Sequence, residues 1–106
     1  MSTVYVIQES PGKNIVGASD YGSIYVMLPK DSQVMFESDS FIKEISEKMK
    51  DFSNDDYLLL IGDPTAIGIA CSIAAKYNDQ EYNVLKWDRQ EKKYFAIHIN
   101  LKEEER

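Results

Sequence analysis

The chain has 106 residues, with 12 Lys and Arg against 18 Asp and Glu, so it carries a net charge of −6 at pH 7. That length holds one hydrophobic core and leaves no room for a second, and a composition 43% apolar and 28% charged excludes wholesale disorder. The acidic balance argues against a general electrostatic grip on nucleic acid, which needs clustered Lys and Arg facing phosphates.

Residues 3–29 read as β-rich. Thr3 to Ile7 make a β-branched and aromatic strand, Ser10 to Asn14 are turn chemistry, Ile15 to Ser19 form a second short strand, and Ser23 to Leu28 a third, stopped by Pro29. Together they predict an antiparallel meander. Val34, Met35 and Phe36 are a short apolar segment of open type. Ser38, Asp39 and Ser40 then offer caps for a helix from about Phe41 to Phe52, with Ile42, Ile45, Met49 and Phe52 at helical spacing on its inner side.

The run from Tyr57 to Tyr77, YLLLIGDPTAIGIACSIAAKY, carries the most information. Tyr57 to Ile61 are apolar without alternation, as in a strand covered on both faces. Gly62 permits a turn, Asp63 is placed to cap a helix, and Pro64 fits a first helical position that needs no N–H. The helix to Tyr77 has Ala66, Ile67, Ile69, Ala70, Ile73, Ala74 and Tyr77 inward, while Gly68, Cys71, Ser72 and Ala75 keep the remainder small. A helix so poor in polar surface is usually buried on more than one side. Tyr82 to Leu101 predicts a hairpin turning at Asp88 to Lys92, with Phe95, Ile97, Ile99 and Leu101 alternating against Tyr94, Ala96, His98 and Asn100.

The fold expected is therefore α+β with an α/β-like core: a mixed β-sheet in the order β-β-β-α-β-α-β-β, with both helices packed on it and right-handed crossovers through each helix. Residues 1–101 form the single domain, and 102–106 a charged tail expected to fray. No apolar run reaches the roughly 18 residues of a membrane span, and MSTVYVIQES has no basic leader and apolar block, so a cytoplasmic protein is expected. The single Cys71 permits no internal disulfide. With one His and one Cys, no metal site and no cofactor are expected.

Charge is unevenly spread. Asp31 to Asp56 hold eight acids against three lysines, whereas Lys86, Arg89, Lys92 and Lys93 make the hairpin locally basic; such polarity steers encounters with partners. Three places invite chemistry. Asp63 with Thr65 stands at a strand's carboxyl end, where open α/β sheets place ligand crevices; an N-cap followed by proline explains the same residues. His98 and Cys71 have no catalytic companions legible in the sequence, and Asp55 and Asp56 read as loop solvation. Lys86, Trp87, Arg89, Lys92, Lys93 and Tyr94 form the basic and aromatic constellation: a clamp for single-stranded bases, a protein-binding hot spot, or a hairpin whose Trp87 packs inward.

The pattern LLLIGDPTAI, an alanine-rich helix and then VLKWDRQEKKY resembles a small protein encoded by tailed bacteriophages, notably marine ones infecting cyanobacteria and similar hosts. The resemblance rests on Gly62-Asp63-Pro64, Ala66-Ile67, Leu85 to Arg89, and Tyr94. It implies a phage protein made in a bacterial cytoplasm and carries no catalytic residues. The reading that follows is a small acidic, non-enzymatic interaction protein that self-associates and binds a host or phage protein. Its homodimer would close over Gly68, Cys71, Ser72 and Ala75. The rivals are a single-stranded nucleic-acid-binding accessory using Lys86 to Tyr94, and a small-ligand or enzyme site at Asp63.

Overall fold

The structure, a computed structural model, describes residues 2–13, 15–34 and 37–103; Met35 and Phe36 of the open apolar segment lie outside them. Five strands and two helices follow one another as β1 (Thr3–Gln8), β2 (Ser23–Leu28), α1 (Asp39–Lys48), β3 (Tyr57–Leu59), α2 (Pro64–Tyr77), β4 (Glu81–Asp88) and β5 (Lys93–Asn100). The sheet runs β2-β1-β3-β4-β5. Its first three pairings are parallel, and β4 with β5 is antiparallel. A mixed sheet carrying two helices is thus the fold.

The predicted second strand does not form. Residues Val16–Asp20 are a 3-10 helix with Ala18 fully buried, and β1 and β2 pair in parallel, Thr3 beside Ser23 and Val6 beside Val26. The physical reason lies in the connection: Glu9 to Gly22 is a crossover of the length parallel strands require, where a meander would need only tight turns.

Topology then assigns the faces. The β2-to-β3 and β3-to-β4 crossovers both step the same way along the sheet, and a single handedness puts α1 and α2 on one face; the β1-to-β2 step runs the opposite way and lands on the other. The packing agrees. Tyr5, Ile7, Leu58 and Val84 join Ile45 of α1 and Ala66, Ala70, Ile73 and Ala74 of α2 in one cluster, while Val4, Val6, Leu59, Leu85 and Tyr94 join Ala18 in a second.

Two helix readings are corrected. Helix α1 ends at Lys48, and Met49 to Phe52 continue as a tighter turn in which the Phe52 N–H donates to the Met49 carbonyl at 2.9 Å. Met49 and Phe52 stay buried, but Ile42 is exposed and Phe41 packs on the core in its place. In α2, Tyr77 is exposed rather than inward, its hydroxyl reaching the Ser46 carbonyl at 3.4 Å. Strand β3 also stops at Leu59, two residues early: the Ile61 N–H turns back onto the Leu59 carbonyl at 2.9 Å, and Leu60 is exposed.

Candidate functional site at the carboxyl ends of the strands

Because neighbouring crossovers leave β1 and β3 for opposite faces, their carboxyl ends part, and a crevice opens between the loops that follow them; this is where doubly wound sheets take ligands. The base of the crevice is closed by Gln8, the last residue of β1. Its side chain is 4% exposed. The Gln8 amide nitrogen donates to the carbonyls of Pro29 at 3.1 Å and Ser32 at 2.6 Å, and its oxygen accepts the Asp63 N–H at 2.6 Å. One buried side chain thereby fastens β1 to the loop after β2 and to the turn before α2. Gly62 is required beside it. At φ +131° a side chain is strained, and a Cβ there would stand 2.5 Å from the Gln8 Cβ.

Asp63 serves α2. Its carboxylate accepts the Ala66 N–H at 3.1 Å with Pro64 at the first helical position, the capping geometry legible in the sequence. Gln8, Lys13, Lys30 and Gly62 line a small cleft of about 430 Å³ here, but neither Asp63 nor Thr65 does.

The larger cleft, about 820 Å³, lies where β3 stops at Leu59 while β4 runs on to Asp88. The missing strand length leaves Lys86 and Trp87 without a β3 neighbour. Leu60, Ile61, Val84 and Ile97 give the cleft apolar walls, and Lys13, Lys86 and Arg89 bring three cations to it. Trp87 is 39% exposed and stands edge-on to Tyr94, with ring centroids 5.0 Å apart. The structure therefore brings together Lys86, Trp87, Arg89 and Tyr94 of the sequence constellation and adds Lys13 from the loop after β1. It does not bring Lys92 or Lys93 there. Lys92 occupies the turn at φ +55°, and the Lys93 ammonium sits 5.0 Å from the Phe95 ring centre. Tyr94 is buried beneath the 3-10 helix and contributes little open surface; its carbonyl accepts the Tyr21 hydroxyl at 2.9 Å.

The remaining candidates lie apart. Gly68 and Ser72 are exposed on α2, and Cys71 and Ala75 are half-buried. Burial pushes the Cys71 thiol up, against a smaller opposing effect of its hydrogen bond with Tyr82. His98 faces Asn83 and Glu81 across the hairpin, at 2.8 Å from each. Glu81 also holds Lys102 at 2.6 Å, which ties the first residue of the expected tail to β4; 104–106 lie outside the described residues. Hydrogen bonds from Lys102 and then from His98 hold the Glu81 carboxyl below its ordinary value.

Sequence reasoning missed Gln8, Lys13 and Asp56. Asp56 is not loop solvation: it is 4% exposed, and its two oxygens accept the Thr3 and Ser53 N–H groups, each at 2.9 Å. A polar residue ending an apolar strand was the available signal for Gln8, and nothing local marked Lys13. Among the described residues, no three His, Cys, Asp or Glu side chains converge as a metal site, and no helix is long and apolar enough to cross a membrane.

These features define a small, partly doubly wound α/β domain with a basic, apolar-walled cleft at the carboxyl end of its sheet. By sequence, the chain belongs to the Phage Pam3 gp32-like protein family, whose model matches residues 2–101. Comparisons with curated proteins and with solved structures found no match.

Proposed function

We propose that this phage-family protein is an interaction module whose cleft beside β3 takes an acidic segment of a host or phage protein, anchored by an apolar or aromatic side chain. The observation that carries this reading is the pairing of apolar walls with Lys13, Lys86 and Arg89 in one concave site on a chain of net charge −6. Apolar walls accept an anchor residue, as hot-spot pockets do, and the cations select carboxylates and speed encounter. A single-stranded nucleic acid is served less well. Stacking platforms need successive open aromatic faces, and here Tyr94 is buried while Phe95 sits under Lys93, outside the large cleft. A reaction centred on Asp63 has little support, because that carboxylate is engaged in capping and lines neither cleft.

Trp87 is the single tryptophan, so its fluorescence reports on the cleft directly. Titration with short acidic peptides bearing a Leu or Phe anchor should shift its emission saturably, with weaker binding in salt and in the Arg89→Glu and Lys86→Glu variants. Basic peptides of the same length should not bind. Salt-sensitive binding of oligothymidylate, with no response to acidic peptides, would replace this reading by the nucleic-acid one.

A further inference from the structure

Strand β5 ends the sheet, and no described strand pairs with its outer edge; at its start the Tyr94 carbonyl accepts the Tyr21 hydroxyl at 2.9 Å. It is eight residues long, has neither Pro nor Gly, and keeps unbroken register with β4 from Lys93 beside Asp88 to Asn100 beside Glu81. Natural sheets blunt such edges with prolines, bulges, short strands or outward charges. Here the two cationic candidates are drawn back onto the protein's own hairpin. The His98 ring turns to Asn83 and Glu81, and the Lys93 ammonium lies over Phe95.

The pattern of free backbone groups follows from one bond. The Leu101 N–H donates to the Gln80 carbonyl at 2.9 Å, which makes 80 and 101 a hydrogen-bonded pair. Bonded and non-bonded pairs alternate along an antiparallel ladder, so Phe95, Ile97 and Ile99 bond to β4, while the N–H and C=O groups of Ala96 and His98 point outward. On the face shared with the helices, Val84 is buried, but its partner Ile97 stays 40% exposed, as does Phe95. A ready backbone edge and an uncovered apolar row therefore run side by side.

We infer that a second copy of this chain occupies the edge, β5 against β5 antiparallel about a two-fold axis at Ile97. That register pairs Ile97 with the partner's Ile97, Phe95 with the partner's Ile99, and Ala96 with the partner's His98. The first two are non-hydrogen-bonded pairs, in which side chains approach most closely, so the apolar row meets itself. Charge favours the same occupant. Lys93 to Leu101 contain no Asp or Glu, so in a chain of net charge −6 two copies meet here without setting carboxylates against each other. Within β5, Lys93 opposes the partner's Leu101 and His98 the partner's Ala96, so no like charges stand opposite each other there; Lys102, the next cation along, is held by Asp79 and Glu81 of its own chain. Because the contact is isologous, it closes at two and builds one ten-stranded sheet. Ile97 and Ile99 also line the large cleft, so the partner's Phe95 and Ile97 extend its apolar wall. This inference goes beyond the proposed function and does not depend on what the cleft binds.

Sedimentation velocity at micromolar concentration tests it on the full chain. The wild type should run at twice the monomer mass of 12.2 kDa. Ala96→Pro should run as a monomer that still melts cooperatively, at a temperature that no longer rises with protein concentration, since proline is tolerated on an edge whose N–H faces outward. Should that variant fold poorly, Ile97→Lys, which sets two ammonium groups together at the axis, gives the same readout. In a Cys71→Ser background, Ile97→Cys should cross-link under mild oxidation and Asn100→Cys should not. A wild-type monomer, or a dimer that survives both Ala96→Pro and Ile97→Lys, overturns the inference. So does a monomer whose β5 edge instead takes an added peptide strand in a manner abolished by Ala96→Pro.

Discussion

On the face toward α1 and α2, the central strands are sealed: Leu58, Tyr5 and Ile7 lie under two helices in the larger of the two core clusters. On the opposite face, Leu59, Val4, Val6 and Leu85 are covered by one turn of 3-10 helix and by aromatic side chains, with Tyr21 edge-on to Tyr57 and Trp87 edge-on to Tyr94. One face spends its surface on stability. The other is roofed so lightly that at its carboxyl end Leu59 and Leu85 border the cleft, which also takes Val84 and Ile97 from the helical face. Adjacent residues of a single three-residue strand belong to the two environments, so the contrast can be probed without changing chain position by more than one.

The largest effects should come from that pair. Truncating a buried leucine costs about 2–5 kcal/mol, depending on how far the site relaxes. Leu58→Ala should fall near the top of that range, and Leu59→Ala, whose side chain also lines the cleft, near the bottom, because water can enter the space it leaves. Chemical denaturation of the two variants checks the ranking, and equal losses would show that the lightly roofed face is as closed as the other. Gln8 joins the region between them. Gln8→Ala strands the Asp63 N–H and takes the Gln8 amide from the Ser32 carbonyl, while the Pro29 carbonyl keeps the Ser32 N–H, and should cost about 1–3 kcal/mol, read by the same denaturation.

Asp63→Ala should lower stability by roughly 0.5–2 kcal/mol, and Asp63→Ser or Asp63→Asn should recover most of it. If the capping variants fold normally yet lose peptide binding at Trp87, Asp63 has a role beyond the cap. On the open face, Tyr21→Phe removes a single hydrogen bond to the Tyr94 carbonyl and should cost only about 0.5–1.5 kcal/mol, with Trp87 fluorescence revealing any shift of the neighbouring ring.

The smallest effect lies at Glu81, a half-buried side chain at the surface whose ion pair solvent screens. Its folded carboxyl is held below the ordinary value of 4.5, so its contribution is present above that value and is lost as pH falls through the folded one. Melting temperatures of wild type and Glu81→Gln should therefore differ at neutral pH and converge in acid. A gap that persists in acid would mean the carboxylate charge is not what Lys102 and His98 reward.

Where a segment's structure is dictated by its own residues, the sequence was enough. Ser23 to Leu28 and Pro64 to Tyr77 form with the bounds predicted for them, and Asp63 caps α2, because strand propensity, a positive-φ glycine and an N-cap act within a few residues. Lys86, Trp87 and Arg89 were legible as a set for the same reason: they are neighbours in one strand and its turn. Other features depend on contacts between distant segments. Ile15 to Ser19 looked like a strand in isolation, yet the 3-10 turn prevails because Ala18 seats on the sheet and the chain must cross to a parallel neighbour. Lys13 joins the cleft only because the β1 and β3 ends part at the point where the winding reverses. Gln8 becomes a fastener only once three loops converge on it. Local propensity is a property of neighbouring residues, whereas a cleft is a property of strand order, and strand order is decided by long-range burial that no single window of this chain contains.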